Sequence, residues 1–105
     1  MKVEKELSRV VRMTNSDDAN RKFNVKAHAK VENGTVVQIS DGEVKTIDGD
    51  VIVATFYRNE GHEDMSALHS TFSVASTAAE ASAAIFSAIA EMNECAAAIA
   101  QSEEN

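Results

Sequence analysis

Residues 23–34 read FNVKAHAKVENG, and this stretch decides the fold. Apolar side chains occupy every second position from Phe23 to Val31, and polar or basic side chains lie between them. Because successive side chains of a strand point to opposite faces, this alternation predicts a half-buried β-strand with a basic outer face. The dipeptide Asn33–Gly34 follows, and it readily adopts the positive φ angles of a tight turn. The stretch therefore predicts the first strand and the turn of an antiparallel hairpin.

The length of this turn follows from the pairing that it imposes. A two-residue turn would pair Ala29 with Gln38 and direct Ile39 toward solvent. A loop of three residues would pair Ala29 with Val37 and keep Ile39 in the core. We therefore predict the three-residue loop, with Gly34 in the left-handed position of a bulge.

Two more turn dipeptides divide the chain beyond this hairpin. One extra residue at Asp41–Gly42 restores the alternation and brings Val44 to the core face, so we predict a bulge there; a separate short hairpin is the alternative. Asp48–Gly49 turns the chain into residues 50–58, which are apolar on both faces and therefore predict a central or covered strand. Residues 66–74 alternate again, with three apolar side chains on one face: Leu68, Phe72 and Val74.

The two ends of the chain differ in the clarity of their patterns. Residues 2–13 fit a helix or a strand, and we favour a strand that forms a hairpin into Phe23. Thr77 and Glu80 have the spacing of a helix capping box, and an alanine-rich sequence without Gly or Pro continues to about Gln101. Apolar residues at helical spacing form a stripe along this segment: Ile85, Ile89, Met92, Ala96 and Ile99.

These elements predict a single α+β domain over residues 1–105. Strands within residues 2–74 form an antiparallel meander of four to five strands, and one long helix over about 77–101 packs across one sheet face. The chain is 44% hydrophobic and 26% charged, which is typical of a globular protein. It has one cysteine and no apolar run near the ~18 residues of a membrane span, and because its first ten residues lack an apolar segment we expect no signal peptide. We therefore expect a cytoplasmic protein without a disulfide.

Charge is distributed unevenly along the chain. All ten Lys and Arg lie at or before Arg58, and the eight acids after it give that part a charge of −8. Polyanion binding needs dense positive charge, so this balance disfavours binding of nucleic acid over the whole surface. The alternative is a single-stranded nucleic-acid-binding protein that uses the basic strand face of Lys22, Lys26, His28 and Lys30. Against it, few aromatic residues are free to stack on bases, since Phe23, Phe56 and Phe72 are expected in the core.

Enzymatic chemistry finds little support in the sequence. It contains no G-x-S-x-G motif and no glycine-rich nucleotide loop. Cys95 lies within the predicted helix, where a free cysteine is normally a small packed apolar residue. His62 and His69 lie near two carboxylates, but their spacing is not that of a zinc ribbon, and His69 is expected to point to solvent. We expect no catalytic residues, no metal and no cofactor.

The remaining feature is a surplus of apolar side chains. Three lie on the second face of the predicted central strand: Val51, Val53 and Tyr57. The helix stripe adds Ile85, Ile89 and Met92. A second copy of the chain could cover these residues. The sequence therefore predicts a small non-enzymatic interaction or assembly module that acts as a homodimer or higher oligomer, of the size common among bacterial, phage and mobile-element accessory proteins. Another protein partner is the other possibility.

Overall fold

The computed structural model describes residues 8–15, 21–61 and 67–104. In these ranges five strands precede one helix: β1 (Ser8–Thr14), β2 (Phe23–Glu32), β3 (Thr35–Thr46), β4 (Ile52–Arg58), β5 (His69–Phe72) and α1 (Ala78–Glu104). The strands form one antiparallel sheet in chain order. The helix packs across β2, β3 and β4. The predicted α+β meander with one C-terminal helix is confirmed.

The hairpin between β2 and β3 differs from the predicted one. Glu32 pairs with Thr35, so the turn holds two residues, Asn33–Gly34, with φ angles of 52° and 79°. Positive φ at both positions is what a type I′ turn requires. A register shift directly beyond the turn adds one residue to β3 and brings Ile39 opposite Ala29. The prediction of a three-residue loop was wrong because it assumed that β3 is regular.

The predicted bulge at Asp41–Gly42 is confirmed. The pairing of β3 with β4 shifts by one residue between Ile39 and Gly42, and Asp41 has a φ of 54°. Val44 is fully buried on the core side of this bulge. Gly42 is required here, since a Cβ atom at this position would lie 2.5 Å from the carbonyl oxygen of Phe56.

The core lies between the sheet and α1. The predicted helix stripe faces it: Ile85, Ile89, Met92 and Ala96 are buried, and Ile99 packs against them. The alternating residues of β2 form the opposite wall, from Phe23 to Val31. Within the core, the Arg58 Nη2 group donates a hydrogen bond of 2.8 Å to the Val36 carbonyl oxygen.

Two predicted details of the central and last strands need correction. Val53 is buried in the core cluster together with its neighbour Ala54, because a bulge in β4 adds one residue opposite β3 at this point. Phe72 and Val74 are 37% and 36% exposed, although the alternation predicted them inside. Phe72 pairs with Ala54 at the sheet edge, beyond the strands on which α1 packs.

The ends of the chain are partly confirmed. Ser8–Thr14 is a strand, as favoured, and residues 1–7 and 16–20 lie outside the described part of the chain. A 3-10 turn over Ala75–Thr77 precedes α1, and the Thr77 hydroxyl donates to the Val74 carbonyl oxygen at 3.1 Å. The Glu80 carboxylate lies 3.7 Å from Lys22 Nζ. Both side chains of the predicted capping box therefore have other partners. Within the residues described, α1 is not apolar enough to cross a membrane.

Candidate functional site

The residues predicted to form a self-association surface fall into two groups. Val53, Ile85, Ile89 and Met92 are buried within one copy of the chain. Packing of α1 on the sheet covers the helix stripe, and the bulge in β4 places Val53 on the core side of the sheet. The prediction of a free surface at these four positions therefore needs correction. Val51 and Tyr57 remain exposed, at 54% and 46%.

Tyr57 lies on the face of the sheet opposite α1, where it stacks on His69. The two ring centroids are 4.7 Å apart, and the ring planes differ by 13°. The contact joins neighbouring strands, since Tyr57 and His69 are directly paired in the register of β4 and β5. His69 is exposed, as predicted, and one face of the Tyr57 ring is covered by it.

We call this face of the sheet the open face, since no described element packs on it. Its side chains alternate with the buried ones and follow from the strand register: Arg12, Asn24, Lys26, His28, Lys30, Gln38, Glu43, Lys45, Thr55 and Tyr57. Three members of the predicted nucleic-acid stripe are therefore on one face. Lys22 is not with them, because it precedes β2 and lies beside Glu80 of α1.

Acidic side chains accompany the basic stripe along the open face. Lys26 Nζ lies 3.4 Å from Glu43 Oε2, and His28 Nδ1 lies 2.9 Å from Asp41 Oδ2. Partly exposed charge pairs such as Lys26–Glu43 stabilise a protein by only ~0–1 kcal/mol, and the carboxylates reduce the positive potential along the stripe. A phosphate backbone therefore meets a face of mixed charge rather than a basic stripe.

Lys30 is the most strongly paired of these cations. Its Nζ donates a hydrogen bond of 2.8 Å to Glu60 and lies 3.6 Å from Glu32. The pKa of Lys30 is raised above its usual 10.5, chiefly by the hydrogen bond to Glu60. Its ammonium group is thus committed to carboxylates of the same chain.

A second surface lies at the β1 edge of the domain. A cavity of about 220 Å³ separates this edge from the neighbouring side of α1, and a cavity of about 410 Å³ lies next to it, between α1 and the start of β2. The helix contributes small side chains to them, including Ala84, Ala88 and Cys95, while β1 contributes Val11 and Met13. We call this surface the β1 flank. Cys95 is exposed on it, which corrects the prediction that this cysteine is packed.

A third feature is a cavity of about 400 Å³ at the end of the open face, which we call the cationic cavity. Its lining includes Arg21, Lys26 and Lys45, together with Asp50. Sequence patterns did not single out Arg21 or Lys45. The alternation beyond the Asp41–Gly42 bulge places Lys45 on the outer face, but its cross-strand neighbours depend on the exact register.

Metal-binding geometry is not found among the residues that the structure describes. They contain no group of three or more His, Cys, Asp or Glu side chains that could hold an ion. His62, the other histidine of the cluster considered in the sequence, lies outside the described residues.

Comparison with known proteins found no similar protein. The sequence matches no protein-family model, no curated protein and no solved structure.

Proposed function

We propose that this protein is a small non-enzymatic interaction module that acts as a homo-oligomer, with two copies joined along β1. The observation that supports this most is the β1 edge. Among the described strands, β1 has only β2 as a neighbour, and it is seven residues long. A free edge carries unpaired N–H and C=O groups that favour pairing with another strand. Val10 is 66% exposed beside that edge.

Symmetric antiparallel pairing of two β1 strands is consistent with their side chains. A two-fold axis through Val11, the middle of the described residues Ser8–Thr14, gives the longest overlap of the described part of the two strands. Val11 then lies opposite Val11 of the second copy, and Val10 lies opposite Arg12 of the second copy. Both helices fall on the same side of the joined sheet, so the two β1 flanks meet.

The size of this contact sets the expected affinity. A seven-residue strand is ~23 Å long, and the edge of a sheet with one helix layer is ~20 Å tall. Each copy thus contributes roughly 450 Å², and the total of about 900 Å² is just below the ~1,000 Å² of stable interfaces. We therefore expect a dimer with a dissociation constant in the micromolar range. The free, exposed Cys95 is compatible with a reducing cytoplasm, where we expect the protein to act.

The experiment compares two charge substitutions at one position. Val10→Lys places a cation opposite Arg12 of the second copy, twice by symmetry, and should weaken the dimer by about 2 kcal/mol, or roughly thirty-fold. Val10→Glu places an anion there and should preserve or strengthen it. Sedimentation velocity at concentrations up to about 100 μM measures both. Val51→Lys, at an apolar position that is 54% exposed in the turn before β4, is the matched control.

Three results would contradict the proposal. A monomer at ~100 μM would exclude an association worth more than ~5.5 kcal/mol. A dimer that Val51→Lys weakens and Val10→Lys does not would move the interface to the β3–β4 turn. Submicromolar binding of a single-stranded oligonucleotide, lost on replacing Lys26 and Lys30 by Gln, would favour the nucleic-acid alternative.

A further inference from the structure

We propose that the cationic cavity binds the phosphate group of a small phosphorylated molecule. Basic side chains from three positions of the chain converge on it: Arg21 before β2, Lys26 on β2 and Lys45 on β3. Its volume of about 400 Å³ is within the range of about 300–1,000 Å³ that small-molecule sites occupy. Guanidinium and ammonium groups are the side chains that recognise phosphate oxygens most often.

Glu43 holds the two lysines without using up their donors. Lys26 Nζ and Lys45 Nζ approach the same atom, Glu43 Oε2, at 3.4 Å and 3.8 Å. Hydrogen bonds of this type are about 2.7–3.2 Å long, so both contacts are electrostatic. Glu43 Oε2 is buried and accepts no hydrogen bond from the described residues. Because an ammonium group has three N–H donors, both lysines keep donors for a phosphate oxygen.

The other wall of the cavity is held by asparagines. Arg21 Nε donates a hydrogen bond of 2.9 Å to Asn24 Oδ1, which sets the position of the guanidinium group. Asn15 accepts a hydrogen bond from the Val25 N–H at 3.0 Å and donates one of 2.9 Å to the Phe23 carbonyl oxygen. These contacts join the end of β1 to the start of β2 and order the wall before a ligand binds.

Asp50 is the one carboxylate that lines the cavity among the described residues. It lies 3.8 Å from Lys45 Nζ, and its side chain is 75% exposed. An anion in the cavity competes with this carboxylate for Lys45. Asp50 has a φ of 52°, a conformation that asparagine also tolerates, so Asp50→Asn removes the charge and preserves the backbone.

The test uses inorganic pyrophosphate as the probe, titrated into the full-length protein by calorimetry at low ionic strength. We expect binding that weakens as salt rises and falls at least about ten-fold when Lys26 and Lys45 are both replaced by Gln. Lys30→Gln is the matched control on the same face, because its ammonium is bonded to Glu60 outside the cavity. Asp50→Asn should tighten binding several-fold, a gain that a folding defect cannot mimic.

Several outcomes would overturn the proposal. They are no binding of pyrophosphate at millimolar concentration, an equal loss in Lys30→Gln, or no gain in Asp50→Asn. An oligonucleotide without terminal phosphates that displaces pyrophosphate, and that binds more tightly than pyrophosphate through Lys26 and Lys45, would overturn the proposal in favour of binding to a nucleic-acid backbone. Val10 does not line the cavity, so Val10→Lys should leave pyrophosphate binding unchanged while it weakens self-association. The two proposals can therefore fail separately.

Discussion

Replacing Ile89 by Asp tests the packing of α1 on the sheet. Ile89 is only 3% exposed in the middle of the helix stripe. Truncation of such a side chain alone costs about 2–5 kcal/mol, because apolar burial is lost and a cavity remains. An aspartate side chain at this position adds a second cost. Burial raises its pKa, so the carboxyl group must be protonated at a pH where it would be ionised in the unfolded chain. Together these terms approach the roughly 5–15 kcal/mol that stabilises a domain of 105 residues.

The pH dependence separates the two terms of this loss. The introduced carboxyl has a raised pKa in the folded state, so its penalty is small below the unfolded pKa and grows with pH by about 1.4 kcal/mol per unit. The deficit of Ile89→Asp relative to Ile89→Ala should therefore grow by about 2 kcal/mol from pH 5.5 to pH 7. Urea denaturation followed by circular dichroism measures both variants. Phe86→Asp is the control, since Phe86 lies on the same helix at 52% exposure. A parent-like Ile89→Asp, or an equal loss in Phe86→Asp, would refute this packing.

Two further predictions concern β3 and the open face. Gly42→Ala should destabilise the protein by about 1–3 kcal/mol in urea denaturation, because the added Cβ would lie 2.5 Å from the Phe56 carbonyl oxygen, whereas Gly49→Ala, with its nearest contact at 3.4 Å, should change stability little. Glu60→Gln should lower the pKa of Lys30 toward 10.5, as measured by NMR titration. Because the pKa of Lys30 is raised in the folded protein, its pairing with Glu60 stabilises the fold while Lys30 is protonated, and this stabilisation is lost as the pH rises through the raised pKa.

Most of the fold was predictable because its strongest signals are local. The alternation from Phe23 to Val31 and the stripe from Ile85 to Ile99 each define one apolar face, and a sheet with one helix is the simplest way to bury both. The Asp41–Gly42 bulge was also predictable, since one extra residue there keeps Val44 in the core. These inferences need only the two-residue period of a strand or the roughly 3.6-residue period of a helix, and they need no knowledge of the neighbouring elements.

The errors arise where the face on which a side chain lies depends on pairing with an adjacent strand. The Asn33–Gly34 turn was predicted with one residue too many. The longer loop was meant to keep Ile39 on the core face, but a second bulge in β3, directly after the turn, does this instead. Val53 was assigned to the wrong face for the same reason, since β4 also carries a bulge. Phe72 shows a different limit: alternation identifies a face of a strand but does not show how far α1 extends across the sheet.

The candidate site depends on these bulges more than on any motif. A regular two-residue hairpin would pair Lys26 with Asp41 and would place Lys45 opposite Lys22, a like-charge pair that is unfavourable across strands. The two extra residues in β3 shift the register so that Glu43 lies opposite Lys26 instead. Lys45 is then a diagonal neighbour of Lys26, and both reach the same carboxylate oxygen. The convergence of cations at the end of the open face is therefore a consequence of strand register, which explains why residue spacing in β2 alone predicted a uniform basic stripe and missed the cavity.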